Sequence, residues 1–74
     1  MNVLQRYLNQ NGITKYQVSK ASGISQMTLS HATAENKALS KQTVKVISAV
    51  AQALDKTPGQ VLDDLIDLDK VTNE

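Results

Sequence analysis

Residues 19–31 read SKASGISQMTLSH, and the fold turns on Gly23. The segments on both sides suit a helix, yet glycine in a helix interior costs roughly 1 kcal/mol relative to alanine. In one continuous helix Gly23 is a defect. At the end of a helix, in the left-handed conformation that glycine reaches freely, it reverses the chain, and Ser25 can start a second helix two residues later. Val18 before the corner, Ile24 within it and Leu29 beyond it then hold the angle between two short helices, a helix-turn-helix. Ser19 falls where the two approach most closely, and its hydroxyl is expected to bond the carbonyl of Lys15, one turn earlier.

Other helix starts are marked as clearly. Thr14-Lys15-Tyr16-Gln17 and Thr57-Pro58-Gly59-Gln60 both spell T-x-x-Q, the capping box in which each side chain satisfies a backbone N–H of the other residue. Pro58 stands at N1, where a missing N–H costs nothing. Ser25 and Ser40 are the remaining N-cap expectations. Apolar pairs bracket three of these caps, Ile13 with Val18, Ile24 with Leu29 and Leu39 with Val44, as in a hydrophobic staple. With a first helix over about 2–10, carrying Val3, Leu4, Tyr7 and Leu8 on one face, the sequence predicts five helices and no strand. The others cover about 15–22, 26–33, 41–54 and 58–68. The fourth has a stripe of Val44, Ile47, Ala51 and Leu54, with Val46, Ala49, Val50 and Ala53 outside it; a helix apolar on most sides is central. The expectation is one all-α domain over 1–69 and a frayed tail over 70–74.

At 74 residues the chain has room for one core, and with no cysteine that core must hold by packing alone. Nothing approaches the roughly 20 apolar residues that cross a bilayer, and a cytoplasmic, membrane-free protein is expected. The charge is divided along the chain. Through Leu54, Arg6, Lys15, Lys20, Lys37, Lys41 and Lys45 face Glu35 alone; after it, Lys56 and Lys70 face Asp55, Asp63, Asp64, Asp67, Asp69 and Glu74. A basic first part and an acidic end suit a protein that meets a polyanion with the former and turns the latter away. Enzyme chemistry finds little support: His31 is the sole histidine, there is no glycine-rich phosphate loop, and the carboxylates lack the spacing of a calcium site. Neither a metal nor a cofactor is expected. Asp63, Asp64, Asp67 and Asp69 read as a solvated helix face.

The spacing of Val18, Ser19, Gly23, Ile24, Leu29 and Ser30, the lysine-containing loop to Ser40, and TVKVISAVAQALDKTPGQVL after it carry a resemblance. Over about 14–62 the chain resembles the lambda-repressor and Cro family of phage and bacterial transcription regulators, also called the XRE family. Ser19 stands where that family usually has alanine. The resemblance implies a compact five-helix DNA-binding domain in which the third helix enters the major groove of double-stranded DNA.

On such a helix, packed through Leu29 and Ala32, the wheel turns Met27, Ser30, His31 and Ala34 outward, with Gln26 and Thr28 flanking them near the N-terminus. Gln26, Met27, Thr28, Ser30 and His31 are thus the base-reading candidates. The Gln26 amide matches adenine N6 and N7, while Met27 or the Thr28 methyl suits a thymine methyl. No Arg or Lys lies between Ser22 and Asn36, so the expected half-site leans on A·T pairs. Phosphate contacts are expected where helices 2 and 4 begin, at Thr14 and Lys15 and at Ser40 and Lys41, and in the intervening loop at Asn36 and Lys37. One helix reads only a few base pairs, so a homodimer on the operator is expected, with Leu62 and Ile66 on helix 5 as the candidate contact. The rival expectation is a protein-interaction module, antitoxin-like or anti-repressor, whose acidic fifth helix meets a protein partner.

Overall fold

A computed structural model describes residues 2–35 and 37–72. Among them the chain forms α1 (Val3–Gln10), α2 (Lys15–Ser22), α3 (Gln26–Ala32), α4 (Val44–Leu54) and α5 (Pro58–Thr72), with a short 3-10 turn at Leu39–Lys41 and no strand. The all-α, five-helix expectation holds.

The caps behave as the sequence predicts at three of the starts. Thr14 Oγ1 accepts from Gln17 N at 3.1 Å while Gln17 Oε1 accepts from Thr14 N at 2.8 Å. The same reciprocal pair joins Thr57 and Gln60 at 2.9 and 3.1 Å. Ser25 Oγ accepts from Thr28 N at 3.1 Å and opens α3. Gly23 closes α2 at φ 78°, its N–H bonded to Ser19 O, so the corner forms where glycine permits it. Ser19 differs: its hydroxyl donates across the corner to Ile24 O at 2.6 Å instead of to Lys15 O. A serine placed at the closest approach finds the carbonyl of the reversing chain, whereas the Lys15 carbonyl already belongs to the helix ladder.

The start of the fourth helix is a correction. Ser40 lies inside the 3-10 turn, and the cap is Thr43, whose side chain accepts from Val46 N at 3.3 Å. Val44 is consequently in the first position of α4 and 75% exposed, not part of an inward stripe. The buried face is Val46, Ile47, Ala49, Val50 and Ala51, which includes residues that the stripe left out. This helix is indeed central, in contact with α2, α3 and α5, while α1 lies on α5. Leu4, Leu8, Val18, Leu29, Val50, Val61 and Leu65 are fully buried and form one aliphatic core. Each such side chain contributes about 1.5–3 kcal/mol on burial.

Helix α5 continues through Thr72, past the expected end at about 68, and the last two residues of the expected 70–74 tail lie outside the described residues. The acidic face also needs correction at Asp64. Tyr7 donates its hydroxyl to Asp64 Oδ2 at 2.6 Å, and Lys56 Nζ reaches the same oxygen at 3.0 Å, tying α1 to α5 and to the turn that precedes it. The Tyr7 hydrogen bond and then Lys56 hold the Asp64 carboxyl below its ordinary range. Burial, followed by the hydrogen bond to Asp64, pushes the Tyr7 phenol up.

Candidate nucleic-acid interface

The site begins with the wheel of α3. Leu29 and Ala32 are buried at 0% and 4% exposure, which fixes the rotation of the helix about its axis. Gln26, Met27, Thr28, Ser30 and His31 are then all exposed, Met27 to 72%. Ala34 lies beyond the helix and is half-buried, so the outward edge stops at His31. The Thr28 hydroxyl is 2.8 Å from Ser25 Oγ, so it is engaged in the cap. What Thr28 offers a ligand is chiefly its methyl group.

Beside this edge runs a groove of about 270 Å³, whose lining includes Met27, Thr28 and His31 from α3 and Lys37, Lys41 and Thr43 from the segment that follows. The fold therefore brings two of the predicted phosphate residues, Lys37 and Lys41, against three of the predicted base readers. Gln26 and Ser30 lie on the exposed helix outside the groove lining, and Ser40, in the 3-10 turn, does not line it. Thr14 and Lys15 stand at the head of α2; the Thr14 side chain is consumed by the capping box, which leaves the amides of Lys15 and Tyr16 as the donors that no intrahelical carbonyl can serve. Asn36 lies outside the described residues.

Two features escaped the sequence. Because α4 starts at Val44, its free first-turn amides accompany Lys45 and not Lys41, and Lys45 lines an adjoining depression with Ser25 and Thr28. The signal was Thr43, which stands directly before the apolar run. The second is Asn2. Its Oδ1 caps α1 by accepting from Leu4 N at 2.7 Å and Gln5 N at 3.1 Å. Its Nδ2 meanwhile donates to the carbonyls of Ala32, Ala34 and Lys37 at 3.1, 2.9 and 2.8 Å. An asparagine before a helix advertises a cap; nothing local advertises contacts more than thirty residues away.

The site is a short exposed helix edge of amide, thioether, hydroxyl and imidazole groups, with Lys37 and Lys41 lining the groove beside it. Such an edge has hydrogen-bonding groups for base edges and positive charge for phosphates. Among the described residues no group of three histidine, cysteine or carboxylate side chains is placed to hold a metal ion. No helix of the described residues is long and apolar enough to cross a membrane. Comparison with curated proteins and with solved structures gives no match. Comparison with protein families does: the model of the Cro/C1-type HTH DNA-binding domain matches residues 3–67, which takes in α1 to α4 and α5 as far as Asp67, and the protein belongs to that family.

Proposed function

We propose that the protein is a sequence-specific regulator of transcription, a repressor of the phage or plasmid type and not an enzyme, that inserts α3 into the major groove of double-stranded DNA. The observation that carries this is the division of α3: Leu29 and Ala32 are sealed in the core while Gln26, Met27, Thr28, Ser30 and His31 are all exposed, and Met27, Thr28 and His31 share a groove with Lys37 and Lys41. Gln26, in the first turn, takes the role of adenine reader, and Met27 and the Thr28 methyl contact thymine. Ser30 and His31 meet the bases or phosphates one turn on. Lys15, Lys37, Lys41 and Lys45 supply phosphate contacts that position the domain without reading sequence. On this reading the protein works in the cytoplasm, where the DNA is.

A single copy reads too little sequence to find one site in a genome, so the operator is bound by two copies on half-sites about one DNA turn apart. Leu62 and Ile66, one turn apart on α5 and exposed to 39% and 37%, support a contact between copies. Sedimentation of the free and operator-bound protein checks this: two copies per operator are expected, and a monomer in both states refutes it.

Selection of binding sites from random duplex DNA tests the whole reading. Recovery of a two-fold-symmetric, A·T-leaning site is expected, with Gln26→Ala relaxing preference at one base pair and Lys41→Ala weakening all sequences and lowering the salt slope by about 1. Failure to enrich any sequence, together with no salt-dependent affinity for random duplex, refutes it.

A further inference from the structure

Among the described residues Asn2 is the buried polar one, 4% exposed, and its position explains more than the cap of α1. The two hydrogens of its Nδ2 are shared among three carbonyls: Ala32 O, which ends α3, and Ala34 O and Lys37 O in the loop after it. Those carbonyls belong to the C-terminal end of the proposed reading helix and to the segment that carries Lys37 into the groove. Gln42, just before α4, grips the same end from another side, with Nε2 donating to Ala32 O at 2.8 Å. The last carbonyls of a helix have no intrahelical partner, so α3 is held at its C-terminus by two side chains from elsewhere in the chain. Gln42 makes this contact with its own Oε1 buried and without a partner in the protein, so its amide gains little for stability.

We propose that Asn2 and Gln42 are positioning residues for DNA recognition, which fix the pitch of α3 and the placement of Lys37 relative to it. The proposal rests on the major-groove reading of α3. Bidentate base contacts require their side chains held to within about 0.5 Å and 10–20°, so a helix end released from Asn2 or Gln42 keeps its residues but loses discrimination between sequences.

Asn2→Ser is the informative variant. Serine caps a helix about as well as asparagine, so the acceptor role at Leu4 and Gln5 is kept, but its short hydroxyl cannot span to three carbonyls. Gln42→Met is its companion: it removes the donor to Ala32 O together with the orphaned Oε1, so the fold is nearly unaffected. The probes are a duplex recovered by selection with the wild-type protein and a random-sequence duplex of equal length. At a temperature where circular dichroism shows each variant folded, the ratio of the two dissociation constants is expected to fall about tenfold for Asn2→Ser and severalfold for Gln42→Met. A purely structural role lowers the melting temperature and leaves that ratio unchanged. Should Asn2→Ser fail to fold, Gln42→Met decides alone. Wild-type discrimination in the folded variants overturns the positioning role while the DNA reading stands; a wild-type protein that ignores duplex DNA overturns both.

Discussion

Replacing Gly23 by alanine isolates the backbone of the corner from everything around it. Gly23 has φ 78° and ψ 1°, and a Cβ built there meets no atom within 4 Å, so the substitution creates no clash. The cost is conformational only. An L-residue in the left-handed region pays about 1–2 kcal/mol, and alanine recovers about 0.4–1 kcal/mol because its unfolded chain has fewer states to lose. The net destabilisation is about 1 kcal/mol, which lowers the melting temperature of a domain this size by about 4–8 °C. Gly59 is the internal control. It lies in the first turn of α5 at an ordinary φ, with Thr57 Oγ1 3.9 Å from the built Cβ, so the same substitution meets a helix that welcomes it. Gly59→Ala is expected to stabilise by about 0.5 kcal/mol through helix propensity and unfolded-state entropy. Two chemically identical changes should therefore shift thermal unfolding, followed by circular dichroism, in opposite directions. If Gly23→Ala melts at or above the wild type, or Gly59→Ala below it, the backbone account of the corner is wrong.

Asp55 closes α4 at φ 56° without being glycine, so Asp55→Gly should raise stability by about 0.5–1 kcal/mol in urea unfolding; a loss would mean that the aspartate side chain has a role there. Val44→Ser should change stability by less than about 0.5 kcal/mol, because Val44 is exposed, whereas Leu29→Ala should cost about 2–5 kcal/mol and abolish DNA binding at temperatures where the wild type is folded. Tyr7→Phe should cost about 1 kcal/mol through the lost hydrogen bond to Asp64. The depressed Asp64 carboxyl stabilises the fold above its ordinary value of 3.8 and loses that effect as pH falls through the lower folded value. The raised Tyr7 phenol acts at the other end: its contribution is present below 10.0 and lost as pH rises through the higher folded value. The melting-temperature difference between wild type and Asp64→Asn should therefore hold near neutrality and shrink below pH about 4; a difference that widens in acid reverses the sign and refutes the network.

Most of the helix boundaries were legible because caps are local chemistry. The T-x-x-Q boxes at Thr14 and Thr57 and the serine at Ser25 each satisfy amides two or three residues away, so proximity in sequence guarantees the contact. Ser40 misled because it too is followed by an apolar pattern, and local rules do not say whether a serine caps an α-helix or enters a 3-10 turn. The 3-10 turn goes with the packing of Leu39 against the core, a tertiary contact. Val44 was misplaced because the rotation of α4 about its axis is set by packing: a helix apolar on most sides offers several stripes, and the core took the one through Val46, Ile47 and Val50.

The order of helices, the corner at Gly23 and the outward edge of α3 from Gln26 to His31 were determined by the sequence alone, because each depends on contacts within about one helical turn or on the 3.6-residue period. The partner of Ser19, the joining of Tyr7, Lys56 and Asp64, the convergence of Lys37 and Lys41 on α3, and the hold of Asn2 on the end of that helix were decided only by tertiary structure. Asn2 and Ala32 are thirty residues apart, and a hydrogen bond across that distance exists only once the core of α1, α4 and α5 has brought the two ends together. Local chemistry names the residues that can read a ligand; packing sets the angle at which they are held.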